Sequence, residues 1–354
     1  MYYSLKEAQK MEEKIKIYIP ESVNNILLKD MERFEFFKKD GSLNKNEFYN
    51  TLIVNYYEQY EENQGSIFEH IKESIRERTD LKERNIDDLA ADILQYVDVR
   101  TYQLDRQRYD ISIAMKPTRK SSDDIDYIQN CLLGNSTLSN YFRNMFASYS
   151  LLPQDKREII IFKQNFDLIN ESIENDRKIY FTTEKSSAPH IVSPYMIANS
   201  KEELFNYLLC KYNNFPYSFR MSRIKQIKIL NESRDLTKPI IEVFDRMAKN
   251  GPQYSYEVKK PQVPIKVKLS ERGQNMYRMM YLHRPQYYKA EGDIFYFDCS
   301  RQQAFQYFSR LGANAAVLEP KDLRDDLHRF FERAGRRYRQ LSKSTQPDEN
   351  SVQQ

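Results

Sequence analysis

Residues 14–20 read KIKIYIP, and residues 111–117 read ISIAMKP. Side chains along an extended strand point alternately to opposite faces. Ile15, Ile17 and Ile19 therefore share one face, with Lys14, Lys16 and Tyr18 on the other. The second stretch repeats the device: Ile111, Ile113 and Met115 face one way, and Ser112, Ala114 and Lys116 the other. Each run is closed by a proline, Pro20 or Pro117, which has no N–H to give to a ladder.

Both strands lead into helical patterns. After Pro20, apolar residues at Val23, Ile26, Leu27, Met31 and Phe34 keep the 3.6-residue period. Asp40-Gly41 makes a turn, and Asn44 with Glu47 reads as a capping box opening NKNEFYNTLIVNYYEQY. After Pro117 the order recurs, with a helical stretch from Ser122 to Leu133, a turn at Gly134-Asn135 and a second helix in STLSNYFRNMFASY. Ile15 to Phe48 spans 33 residues and Ile111 to Phe142 spans 31, which we read as an internal repeat. Strand, helix, turn and helix is the ribbon-helix-helix order, and one copy cannot close its core. Residues 1–152 are expected to hold two such halves paired antiparallel as an intrachain pseudo-dimer. A charged helical insertion, residues 61–108, joins them, with a packing stripe at Ile86, Leu89, Ile93, Leu94 and Val97.

From residue 153 a helical connector (Lys156 to Asn175) leads into closely spaced β-branched and aromatic runs at 178–184, 189–198, 203–212 and 217–232. Such spacing predicts a small β-barrel or strongly curved sheet, followed by a helix within 233–250. Residues 251–264, with three prolines and a glycine, read as a linker. Residues 265–341 alternate strand and helix as βαββαβ plus a terminal helix, a ferredoxin-like order. The polar tail, 342–354, is expected to be disordered. The fold class is thus α+β.

Composition narrows the function. At 354 residues, with 40% hydrophobic and 13% aromatic residues, the chain can bury several cores. Neither a membrane-length apolar run nor a signal-peptide core is present, so we expect a cytoplasmic protein with no membrane contact. Cys131, Cys210 and Cys299 lie far apart and are odd in number, which argues against a disulfide framework. The four histidines are isolated, and there is no metal-ligand spacing, phosphate loop, dinucleotide fingerprint or nucleophile elbow. We expect no catalytic residues, no metal and no cofactor. The net charge of +4 is uneven: residues 1–152 carry −5, residues 153–264 carry +4 and residues 265–340 carry +6. Phosphate binding needs concentrated cations, so the middle and C-terminal blocks are the electropositive ones.

Two binding surfaces are candidates. On the ribbon, Lys14, Lys16, Tyr18 and Lys116 face solvent and could enter a nucleic-acid groove, or merely keep the ribbon soluble. In the β-rich block, SFRMSRIK places Arg220 and Arg223 near tyrosines Tyr195, Tyr207 and Tyr217. Arginine suits phosphate and tyrosine stacks on unpaired bases. A purely structural role for this set stays open.

At these residues the chain resembles the WYL-domain proteins. His190, Pro194-Tyr195, Asn206-Tyr207-Leu208 and SFRMSRI (218–224) carry the likeness, with Asn206 where the naming triplet has Trp. YFSRLGANAAVLEPKDLR resembles that family's C-terminal extension. The resemblance implies an Sm-like β-barrel that binds nucleic acid or a negatively charged ligand, with contacts mapping onto His190, Tyr195, Tyr207, Arg220 and Arg223. A ribbon-helix-helix front joined to a WYL domain is similar to the accessory proteins of type VI-D CRISPR systems. That likeness implies single-stranded RNA binding and enhancement of an RNA-targeting effector nuclease. A duplex-DNA-binding transcriptional regulator, gated by a ligand on the WYL domain, is the alternative. A homodimer through the C-terminal block is also expected.

Overall fold

The computed structural model describes residues 14–103, 111–134, 136–183, 186–256 and 263–344. Parts of five sequence expectations lie outside them: the end of the insertion, Asn135 of the turn, the last residue of the 178–184 run, the centre of the linker and most of the tail. The chain forms two compact units. The first holds residues 1–168 with 183–185 and 221–225, and the second holds the rest.

In the first unit β1 (Ile15–Ile19) and β2 (Ile111–Met115) pair antiparallel, with Ile17 opposite Ile113 and Lys16 opposite Ala114. Ile17, Ile19, Ile113 and Met115 are buried, while Lys16, Tyr18, Ser112 and Ala114 are exposed. Each strand leads into helices: α1 (Glu21–Arg33) and α2 (Lys45–Arg76) after β1, α4 (Ser122–Tyr127) and α5 (Leu138–Leu151) after β2. Between the two sets lies α3 (Glu83–Gln103). The Asn44 side chain caps α2 by accepting from the Glu47 N–H and donating to its carboxylate at 2.5 Å, but the Asn44 N–H donates to the Phe36 carbonyl at 2.9 Å, so the expected capping box is corrected to a side-chain cap without the reciprocal backbone bond. Phe34, Phe48, Leu52, Tyr56, Phe142 and Phe146 fill one core from both halves.

The first unit departs from the sequence reading in three places. α2 does not stop before the insertion but runs on for 32 residues through Gly65, because the Glu, Gln and Tyr-rich stretch around that glycine carries enough good helix formers to offset it. Helix α4 ends at Tyr127, and Ile128–Leu132 continue as a π-turn. The expected single connector is two helices, α6 (Gln154–Ile161) and α7 (Lys163–Glu174), broken at Phe162 where the backbone leaves the helical region. On α6, Arg157 donates to both carboxylate oxygens of fully buried Asp30, at 2.6 and 3.1 Å, and Tyr149 Oη donates to Asp30 at 2.9 Å.

The second unit holds two sheets. The first has five strands in the order β6-β5-β4-β3-β7: β3 (Arg177–Thr183), β4 (Ser186–Asn199), β5 (Asn206–Tyr212), β6 (Phe215–Arg220) and β7 (Ile224–Ser233). The expected barrel is corrected here: β6 and β7, joined by one 3₁₀ turn, lie at opposite edges and share no ladder, so the sheet is open. Pro194 accounts for a register shift against β5, since it has no N–H for the ladder. Asn213 and Asn214 both take positive φ, which fixes the tight β5–β6 hairpin. Helix α8 (Lys238–Asn250) covers one face through Ile240, Val243, Phe244 and Met247.

The described part of the expected linker is packed rather than loose. Tyr254 and Tyr256 are buried against α8, and a Cβ at Gly251 would lie 2.9 Å from the Tyr254 ring. The second sheet runs β11-β8-β10-β9, from β8 (Ile265–Leu269), β9 (Tyr287–Glu291), β10 (Ile294–Phe297) and β11 (Ala315–Glu319). Helices α9 (Glu271–Met279), α10 (Arg301–Phe308) and the start of α11 (Lys321–Ser344) share one core with Val267, Phe297 and Val317. They therefore lie on one face of this sheet.

Candidate nucleic-acid interface

The hairpin β5–β6 builds the site. Phe215, Tyr217 and Phe219 alternate along β6 and so share a face. The register sets Leu208 opposite Phe219 and Tyr212 opposite Phe215, which puts Tyr212 on that face as well. Phe181 of β3 and His190 of β4 complete it. The His190 ring lies 5.3 Å from Phe181, 5.1 Å from Phe219 and 5.1 Å from Tyr212, between centroids. Phe219 also meets Tyr217 at 4.7 Å and Phe181 edge-on at 4.9 Å. Phe181 is fully buried, whereas Phe215 is 55% and Tyr217 49% exposed. The result is a graded aromatic surface, anchored at its base and open to solvent at its rim.

His190 is chemically unusual there. Both of its ring nitrogens are shielded from water and neither has a hydrogen-bond partner among the described residues. Burial holds its pKa below the ordinary value, so the ring is neutral at pH 7. A neutral imidazole carries one N–H donor and one acceptor. Its three neighbouring rings meet it tilted or edge-on, at 30° for Phe181, 68° for Tyr212 and 56° for Phe219, so the imidazole is part of the packed base of this surface.

The other predicted WYL contacts do not join it. Tyr207 and Arg220 are brought together as cross-strand partners, but they alternate with Leu208 and Phe219 and so occupy the opposite face. Tyr207 is buried with its hydroxyl on Glu203, and the Arg220 guanidinium lies over the Phe205 ring. Tyr195 also turns to the α8 side, stacking on Phe244 at 5.2 Å and donating to Asp245 at 2.8 Å. Arg223 belongs to the first unit, where its Nε donates to Glu35 at 3.0 Å. Lys211 is likewise engaged, with Asp235 at 2.6 Å. Sequence reasoning included His190 and Tyr217 but missed Phe181, Tyr212, Phe215 and Phe219. The signal was the aromatic alternation in FPYSF, overshadowed by the arginines just after it.

On the ribbon, Lys14, Lys16, Tyr18 and Lys116 are exposed together. The Lys116 main chain is pinned by Asn46, which donates to its carbonyl at 3.1 Å and accepts from its N–H at 2.6 Å. Arg143 donates to the Tyr18 carbonyl at 2.5 Å, adding a cation beside the strand. Among the described residues no group of three or more His, Cys, Asp or Glu is placed to hold a metal, and no helix is long and apolar enough to cross a membrane.

No family model matches the chain, and no curated protein does. Among solved structures, the proteasome accessory factor B/C (PafBC) of Arthrobacter aurescens is 13% identical. It covers 64% of this chain and 36% of its own, at a TM-score of 0.22, too low to carry an argument. A structure described as a CRISPR Cas-related protein is 19% identical, covers 93% of this chain and 95% of its own, and superposes at a TM-score of 0.64. Over nearly its whole length, this chain therefore has the fold of a protein described as CRISPR Cas-related.

Proposed function

We propose that this chain is a non-catalytic accessory protein of a CRISPR system, one that binds single-stranded RNA and enhances an RNA-targeting type VI-D effector nuclease. In this reading the two paired strand-helix-helix segments are a ribbon-helix-helix pseudo-dimer. The five-stranded sheet is a WYL domain, and the four-stranded sheet with its helices is ferredoxin-like. The exposed Phe330, Phe331, Tyr338 and Leu341 of α11 give a homodimer its contact.

The aromatic face of the five-stranded sheet carries the reading. Single strands are held by stacking their unpaired bases on exposed rings, a mode duplex DNA cannot use without unstacking. Likeness to a CRISPR Cas-related fold supports the choice of system. The test is binding of labelled single-stranded RNA and of duplex DNA of matched length, with Phe215→Ala and Tyr217→Ala variants. Stacking is worth about 1–3 kcal/mol per base, so each variant should weaken RNA binding by roughly 5- to 150-fold. Adding the chain to the effector should raise RNA cleavage, and the same variants should reduce that gain. Tight binding of a duplex operator with weak single-strand binding would replace this reading with a DNA-binding regulator. The exposed ribbon residues Lys14, Lys16, Tyr18 and Lys116 support that second reading, and removing the three lysines would then abolish duplex binding.

A further inference from the structure

The aromatic face of the five-stranded sheet is rich in rings, but Arg220, Arg223 and Lys211 beside it in sequence are engaged with protein groups. A single strand held there still needs cations for its phosphates. The four-stranded sheet offers them. Its inner face is sealed by α9, α10 and α11 through Ile265, Val267, Leu269, Phe295 and Phe297. Its outer face takes the alternate residues. Lys266 pairs with Tyr296 and Lys268 with Ile294 across β8 and β10, and Lys289 pairs with Tyr296 across β9 and β10.

We propose that this uncovered sheet face is a second binding site for single-stranded nucleic acid. Tyr288 and Tyr296 stack on unpaired bases there, and Lys266, Lys268 and Lys289 hold the phosphates. The inference rests on the RNA-binding reading and adds a site to it.

Three observations carry it. First, the Tyr296 ring sits on a central strand with two ammonium groups close to it, Lys266 Nζ at 5.6 Å and Lys289 Nζ at 5.3 Å from its centroid. Tyr288, 59% exposed, lies 6.4 Å away between centroids. Rings beside cations on an open four-stranded antiparallel sheet, with helices packed behind, are the general means of laying a single strand across a sheet. Second, the acids nearby sit on the edge strands and the turn between β9 and β10, with exposed Glu319 of β11 opposite Lys266. Glu291 accepts from Tyr296 Oη at 2.8 Å and pairs with Lys289 at 2.6 Å, while Asp293 pairs with Lys268 at 3.2 Å. Such exposed pairs contribute little, so a phosphate can displace them cheaply while Glu291 keeps the Tyr296 ring oriented. Third, charge selects the occupant. Lysine is depleted from protein–protein contacts, yet it holds both outward positions of the central strand β8. A polyanion fits this face better than a second copy of the chain.

The test uses the full chain with a fluorescein-labelled oligouridine of about 24 nucleotides, long enough to cover more than one site. The Tyr288→Ala/Tyr296→Ala double variant should bind roughly 5-fold or more weakly. The Tyr288→Phe/Tyr296→Phe variant, which keeps the rings, should bind within twofold of wild type and confirm a folded sheet. Oligouridine carrying 5-iodouracil should photocrosslink to a peptide containing Tyr288 or Tyr296. If the alanine double variant binds like wild type while Tyr217→Ala does not, this inference fails and the RNA-binding reading stands. If wild type binds no single strand, both fail. If the alanine substitutions turn a dimer into a monomer at unchanged affinity, the face belongs to a second copy and the inference is overturned.

Discussion

Replacing His190 with phenylalanine tests the ring face from both sides, stability and binding. The histidine ring is enclosed by Phe181, Tyr212 and Phe219, and its two nitrogens are shielded from solvent and have no hydrogen-bond partner among the described residues. A buried polar group left unpaired costs about 1–3 kcal/mol. Phenylalanine keeps a planar ring, loses no hydrogen bond and is only slightly larger, so His190→Phe should stabilise the second unit by about 1–2 kcal/mol at pH 7.5. In urea that reads as a midpoint raised by roughly 0.5–1 M. The pH dependence has a definite sign. Burial depresses the folded pKa of His190, so the unfolded chain takes up a proton as pH falls through about 6.5 while the folded chain resists. Wild type therefore loses stability from that point down to the folded pKa, and His190→Phe does not. The variant's advantage should be larger at pH 5.0 than at pH 7.5. If the neutral imidazole bonds a base edge, single-stranded RNA affinity should meanwhile fall by roughly 2- to 12-fold, the worth of one hydrogen bond. Urea titrations at both pH values and fluorescence anisotropy read the two effects separately. A variant less stable than wild type, or an advantage that does not grow on acidification, would refute the argument from the shielded nitrogens. Unchanged RNA affinity would leave His190 as packing.

Other consequences can be checked on the same footing. Arg157→Leu leaves the Asp30 carboxylate buried with only the Tyr149 hydroxyl of its described partners, and should cost about 3–5 kcal/mol in urea unfolding. Adding Asp30→Asn should recover much of that loss. Gly273→Ala would ordinarily favour helix α9, but its Cβ would run into the Asn314 carbonyl oxygen, so the variant should lose about 1–3 kcal/mol. Cys131 is exposed, whereas burial pushes the Cys210 thiol up and that of Cys299 up to about 12. A thiol-reactive dye should therefore label one cysteine quickly in the folded chain and all three in denaturant.

The range of each interaction decided how much of this was legible in the sequence. The ribbon was readable because period-2 alternation in KIKIYIP and ISIAMKP is a local signal, and the pairing found sets Ile17 against Ile113 as that alternation requires. The N-cap at Asn44 was equally local. The open five-stranded sheet was not readable, since whether β6 meets β7 is a pairing between opposite edges that no local pattern in either strand specifies. The tie of Arg157 to Asp30 joins residues 127 apart in sequence, and neither residue type betrays burial on its own. Tyr254 and Tyr256 sat in a segment whose prolines and glycine marked it as linker, yet their rings pack against α8. The candidate contacts fared similarly. Spacing along β6 correctly separates neighbouring residues by face, but only the three-dimensional structure says that α8 covers one face and that the other is buried at Phe181, Leu208 and Cys210 and exposed at Phe215 and Tyr217.

That separation bears on how the two proposed surfaces divide their work. Arg220 and Tyr207 share the face that α8 covers, so the arginines of SFRMSRIK are poor candidates for the phosphate contacts. Stacking energy is largely insensitive to salt, whereas each phosphate held by a cation adds about 0.7 to the slope of log affinity against log salt for a single strand. If Lys266, Lys268 and Lys289 each hold one phosphate, replacing all three with glutamine should lower that slope by roughly 2. Tyr217→Ala and Phe215→Ala should weaken binding at every salt concentration and leave the slope unchanged. Anisotropy titrations across a range of sodium chloride concentrations distinguish the cases. Equal loss of slope in both sets of variants would mean that one surface supplies rings and charge together, and the division argued from the two sheets would fall.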